Sequence, residues 1–301
     1  MLIQESHVDV ETSVNGQNGS MRIFLFHPTV PGYPQASERT AANSLASACS
    51  VKSTKVYRSP LAFPQSCQEL IEISLVTGPV ARFARQIAGH GYIVAAPSSY
   101  HDFVGPEPLK YDVEDTDRGN RFKIEKTLES YDEDSRRTVD YLLTLPTCSG
   151  RIGSTGMCLG GHLAVRASLD PRITACVSYF ATDIHTSSLG SPTSTADPTI
   201  SLFRSLAHAE CAMIFGVKDT HVPAEGRDLI RKVMRDAGVV ASFHEFAWAQ
   251  HAFIRDELSK GRYDPAVTKV CFEILLELFT RVLKTDLGAP IGKAPEPEHD
   301  C

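Results

Sequence analysis

The chain has 301 residues, 42% of them hydrophobic and 22% charged, with a formal net charge of −6. That length is enough to bury one large core or two modest ones, and an acidic balance without clustered lysine and arginine argues against a nucleic-acid partner. No apolar run approaches the ~18 residues of a membrane span, and the polar start "MLIQESHVDVETSVNG" is unlike an export signal, so a cytoplasmic protein without a membrane partner is expected.

In chain order, "HVDVETSVNGQNGSMRIFLFHPT" reads as two strands about an Asn/Gly-rich turn, an N-terminal β-hairpin. Residues 31–70 are rich in Ser, Ala and Pro, show no sustained period and read as loop. "PVARFARQIAGHG" has helical spacing and a glycine stop, and "YIVAAP" is short, β-branched and ended by proline, as a buried strand should be. Residues 101–126 form a charged excursion, read as a loop or a lid. "SYDEDSRRTVDYLLTLP" is an amphipathic helix whose acidic first turn suits the helix dipole.

"GRIGSTG" predicts a short strand and a turn into the helix "CLGGHLAVRAS". The strand "ITACVSYF" and the Ser/Thr/Pro-rich loop "TDIHTSSLGSPTSTADPT" follow. The chain then gives strand "CAMIFGV", helix "GRDLIRKVMRDAG", strand "SFHEFA", helix "AVTKVCFEILLELFTRVLK" and a polar tail over 288–301. This alternation predicts an α/β fold: a mostly parallel central sheet flanked by helices, in a single domain over 1–301, with 35–68 as an atypical loop or insertion.

Eight cysteines, at 49, 67, 148, 158, 176, 211, 271 and 301, lack a CxxC or any repeated spacing, which favours reduced thiols. Cys158 is different from the rest. In "GMCLG" it stands between glycines two before and two after, where a strand turns into a helix. A nucleophile held in that sharp turn needs small neighbours, and the amide of Leu159 at the helix start would face a developing oxyanion. A glycine-rich turn around a structural cysteine is the plainer alternative. Downstream, Asp219 in "MIFGVKDTHVP" and His251 in "AWAQHAFIRDE" each follow a strand, in the order nucleophile, acid, histidine found in α/β hydrolases. Among eleven histidines His221 is the nearest rival for the base and reads as a loop residue or pocket wall. His244 reads as a surface side chain, and His101 as a candidate pocket residue. No HExxH, phosphate-binding loop or dinucleotide fingerprint is present, so no metal or cofactor is expected.

Four blocks in this order, "EISLVTGPVARFARQIAGHGYIVAAPSSYHDF", "GRIGSTGMCLGGHLA", "MIFGVKDTHVP" and "QHAFIRDE", resemble the dienelactone hydrolase family over about residues 72–263. That family is a cysteine-nucleophile branch of the α/β hydrolases, and the likeness is greatest to its fungal members. The resemblance implies an α/β-hydrolase fold with Cys158 as nucleophile, Asp219 as acid and His251 as base. It makes Glu72 the glutamate that keeps the resting cysteine a neutral thiol and moves aside when substrate binds. It also makes Ile73 the donor of a second oxyanion N–H, and Arg255 an arginine for a substrate carboxylate. A second carboxylate-binding arginine should fall within 101–137, where Arg118, Arg121, Arg136 and Arg137 are all open. The sequence departs from the family just before Glu72: residues 35–68 match nothing in it, and Ser74 stands where an aromatic is usual.

The expected activity is hydrolysis of a small lactone or carboxylic ester, including one bearing a carboxylate, through an acyl-thioester. A non-hydrolytic isomerase or cyclase, or an inactive small-molecule-binding homologue, remains the alternative.

Overall fold

The computed structural model describes residues 2–29, 68–70, 78–106, 109–110, 112–257 and 260–285. Strands β1 (Leu2–Val14) and β2 (Gln17–Thr29) pair antiparallel as the expected hairpin. Asn15 and Gly16 turn it, both at positive φ (51° and 81°), the backbone that a two-residue turn between twisted strands demands. Strand β4 (Ile93–Pro97) pairs with β2 antiparallel and with β3 (Gln68–Leu70) parallel. The first sheet therefore runs β1-β2-β4-β3.

The second sheet is wholly parallel, in the order β5 (Ile152–Met157), β6 (Ile173–Tyr179), β7 (Glu210–Gly216) and β8 (Val240–Phe246). β3 lies against β5, so the sheets meet at that edge. The helices are α1 (Gly78–Gly89), α2 (Val113–Glu125), α3 (Leu128–Thr144), α4 (Leu159–Ala167), α5 (Ala224–Asp236) and α6 (Pro265–Phe279).

The central strands sort their side chains by the two-residue period of an extended chain. Ala175, Val177 and Tyr179 of β6, with Ala212 and Ile214 of β7, pack on Val80, Phe83 and Ile87 of α1 and Leu275, Leu278 and Phe279 of α6. Cys176 of β6 and Cys211, Met213 and Phe215 of β7 point the other way, onto Val165 of α4 and Ile230 and Met234 of α5. Helices thus cover both faces, and strands buried on both sides read as continuous apolar runs.

Two stretches differ from expectation. The 101–126 excursion contains α2, started by Asp112, whose carboxylate accepts from the Asp115 amide at 2.9 Å. Of its residues only Phe122 is buried, so the helix carries almost no apolar period for the sequence to betray. The stretch read as loop over 31–70 ends in β3, three residues too short to carry a strand pattern.

The turn after β5 imposes one of the two tightest backbone contacts near the site. A Cβ on Gly156 would lie 2.3 Å from the carbonyl oxygen of Gly160, well inside van der Waals distance. Gly156→Ala should cost about 1–3 kcal/mol of stability or more, by the usual penalty for overpacking, read as a lower urea midpoint.

Candidate active site

Cys158 is the residue between β5 and α4, at φ 60° and ψ −120°. A side chain held there is strained by about 1–3 kcal/mol. The flanking bonds hold it: its amide donates to the Tyr179 carbonyl at 3.0 Å, and its own carbonyl accepts from His162 (3.2 Å) and Thr182 (3.3 Å) amides. No side chain caps α4. Helices α2, α3 and α6 each have a capping oxygen from Asp112, Thr127 or Asp264. The first amides of α4 therefore stay available to an anion at its positive end.

Asp219 lies just beyond β7. Gly216 at the end of that strand approaches the 247–250 loop so closely that a Cβ would meet the Ala249 carbonyl oxygen at 2.3 Å. The Lys218 amide donates to the same carbonyl at 3.0 Å. This contact ties the loop carrying the acid to the loop that delivers His251. Asp219 is 3% exposed; its Oδ1 accepts from the His221 amide at 2.8 Å, and its Oδ2 from His251 Nδ1 at 2.8 Å. A carboxylate has no proton to give, so Nδ1 carries one and Nε2 is turned to Cys158, with Sγ at 3.1 Å.

The electrostatics favour an ion pair. Burial by itself would raise the Cys158 thiol, but the His251 charge, the Leu159 amide and the Thr182 hydroxyl bring it below its ordinary value. Burial likewise opposes charge on His251, yet the Cys158 sulfur and the Asp219 carboxylate push it up to about 9. Each group thus favours the charged form of the other, the thiol lowered by the imidazolium and the imidazolium raised by the sulfur.

Cys158 and His251 open into a cavity of about 390 Å³, with Asp219 buried behind the imidazole. Its apolar wall includes Val80, Tyr100, Leu109, Met157, Leu159 and Phe180, and its positive groups are Lys110, Lys123, Arg255 and Arg262. The structure thus brings together Cys158, Leu159, Asp219, His251 and Arg255. Glu72 and Ile73 lie outside the described residues. None of the four open arginines lines this cavity. Arg118 pairs with Asp115, Arg136 and Arg137 pair with Glu133, and Arg121 is exposed. The positive charges that this stretch does bring are lysines, and Arg262 comes from a loop with no residue pattern to mark it.

His101 does not line this cavity; it bonds to Asp134 at 2.8 Å, beside the buried Lys126 and the partly exposed Asp102. His244 is half-buried on β8, its Nε2 near Ser242 Oγ at 3.1 Å. Thr182 escaped the sequence reading. His162 steadies it by donating from Nδ1 to its carbonyl at 2.8 Å, and burial pushes His162 down to about 3, so it stays neutral.

A parallel sheet with helices on both faces, a cysteine on the strand-to-helix elbow, an acid after β7 and a histidine after β8 define an α/β hydrolase. The chain belongs to the dienelactone hydrolase family, whose model matches residues 72–283. It is 46% identical to a Saccharomyces cerevisiae protein provisionally named a carboxymethylenebutenolidase, over 100% of both chains. A similarly named Salmonella typhimurium protein is 25% identical, over 70% of this chain and 74% of its own. In fold it resembles a Klebsiella pneumoniae protein provisionally named a dienelactone hydrolase, at TM-score 0.64 and 16% identity over 92% and 99% of the chains. It also resembles Pyrococcus horikoshii acylaminoacyl peptidase, at TM-score 0.60 and 14% identity over 96% of this chain and 43% of that one. Family membership makes the chain a hydrolase of the ester and lactone class. Among the described residues no helix is long and apolar enough to cross a membrane.

Because the Cys158 thiol is lowered by its histidine, its alkylation by iodoacetamide should persist well below the ~8.5 midpoint of a free thiol. His251→Gln should move the midpoint back up. Mass spectrometry of the peptide containing Cys158 across a pH series reads both.

Proposed function

We propose that the protein hydrolyses a small lactone or carboxylic ester through Cys158, His251 and Asp219 by way of an acyl-thioester. The observation that carries this reading is the chain of contacts from Asp219 to His251 at 2.8 Å and from His251 to the Cys158 sulfur at 3.1 Å, opening on the cavity. The thiolate adds to the carbonyl carbon, and the oxyanion forms against the Leu159 amide. Ile73 supplies the second amide by family resemblance. Collapse breaks the carbon–oxygen bond, and the leaving oxygen takes the proton from His251 Nε2. Neutral His251 then removes a proton from water, hydroxide adds to the thioester carbonyl, and the thiolate departs. Glu72, in its family role, guards the resting thiol against oxidation by disfavouring the anion.

The relatives' name denotes an unsaturated lactone bearing a carboxylate. Arg255, half-buried on the cavity wall, is the group for that carboxylate, with Lys110 and Arg262 adding positive charge there while Lys123 is paired with Asp183 at 3.1 Å. A cytoplasmic setting is supported by Cys148, Cys158, Cys176, Cys211 and Cys271, all free thiols.

Turnover of a panel of small lactones and esters by the purified protein tests the reading. Cys158→Ala should lose about 1,000-fold or more in kcat, with unchanged thermal unfolding; a variant as active as the parent would end the proposal. Arg255→Gln should raise KM about 10–100-fold for carboxylate-bearing lactones, the scale of a lost charged hydrogen bond. Uncharged esters should be nearly indifferent.

A further inference from the structure

His221 is the nearest imidazole to His251 and has no part in the cycle above. It is fixed by its backbone, whose amide donates to Asp219 Oδ1 at 2.8 Å. Its ring lies with its centroid 4.3 Å from that of His251, the planes at 47°. The side chain is exposed to the cavity that Cys158 also lines. Among the described residues neither ring nitrogen of His221 bonds to protein, whereas His101, His162 and His251 all use theirs. Because the ring is exposed, its nitrogens are left to solvent and are open to a group that enters the cavity.

The position decides what that ring can reach. In acyl transfer the histidine that activates the nucleophile also protonates the leaving oxygen, so that oxygen departs beside His251 Nε2, opposite the amides that hold the oxyanion. The His221 ring, tilted at 47° against that of His251 and lining the same cavity, lies next to that point of departure. We propose that His221 is a further catalytic residue, a neutral N–H donor to the leaving oxygen as the carbon–oxygen bond breaks. This rests on the reading of Cys158 as nucleophile. His251 remains the group that gives up the proton; His221 gives a hydrogen bond and keeps its own proton, so nothing else in the balance changes. Burial and the nearby His251 charge hold the His221 imidazolium below its ordinary range, with Arg262 acting in the same sense and Asp219 and Asp183 opposing. The ring therefore stays uncharged beside a cationic neighbour.

Such a donor matters in proportion to the charge on the departing oxygen. The test is kcat/KM across esters of one acyl group with leaving groups from p-nitrophenol to simple alcohols. His221→Phe keeps a ring on His251 but removes the N–H; His221→Gln keeps an N–H donor. The phenylalanine variant should lose about 10–100-fold on alkyl esters and no more than about 3-fold on p-nitrophenyl esters, since poor leaving groups need the hydrogen bond most. The glutamine variant should recover much of the loss; His221→Leu, which also lacks an N–H, should give the same slope as phenylalanine should that ring not be accommodated. A uniform loss across the series, or none, would overturn the assignment while leaving Cys158 as nucleophile. A parent protein without turnover on any ester, or Cys158→Ala as active as the parent, would remove both.

Discussion

The contact between the Cys158 sulfur and His251 Nε2 is the interaction on which the rest of the site depends. It exists because a cysteine is held at φ 60° at the start of a helix, a conformation with no intrinsic stability. Gly156 and Gly160 let the backbone cross itself there, and the Tyr179 carbonyl and the His162 and Thr182 amides hold it. The core on either side of the sheet fixes those partners and so offsets the strain. The sulfur is thereby aimed out of the sheet rather than into it, which separates it from the equally polarisable but buried Cys176 and Cys211.

The pairing of charge at this point follows from burial and proximity together. Burial opposes the charge of either group on its own. Together the anion and cation compensate, and Asp219 fixes the ring from behind. An oxygen nucleophile would need a base to strip its proton at the moment of attack; sulfur can be stored as the anion. That economy brings a liability to oxidation, the problem that a gating carboxylate such as Glu72 would answer.

The cavity shows a division of labour between the layers of the fold. Reactive groups sit on turns at the carboxyl ends of β5, β7 and β8, where the sheet makes positions rigid. The wall above them comes from the 100–125 segment and α2, mostly solvent-exposed and anchored by the buried Phe122. Its partner ring Phe103 stacks on it at 4.7 Å. Chemistry is thus placed on rigid supports, and the contribution of Lys110 and Lys123 on a lightly packed one.

The sequence by itself determined the α/β alternation, the elbow cysteine, and the acid and histidine that follow it. Local rules bear on all of these: strand and helix periods, and glycines where a backbone must cross itself. It carried Arg255 to the site only through family resemblance, because a lone arginine after a histidine has no pattern of its own. The tertiary structure alone decided that none of Arg118, Arg121, Arg136 and Arg137 meets the cavity and that Lys123 and Arg262 do. It also brought His221 onto His251 and bonded His101 to Asp134, outside the cavity wall. These are questions of which way a side chain points from a loop or an exposed helix. No local period constrains that direction; packing between segments distant in the chain sets it.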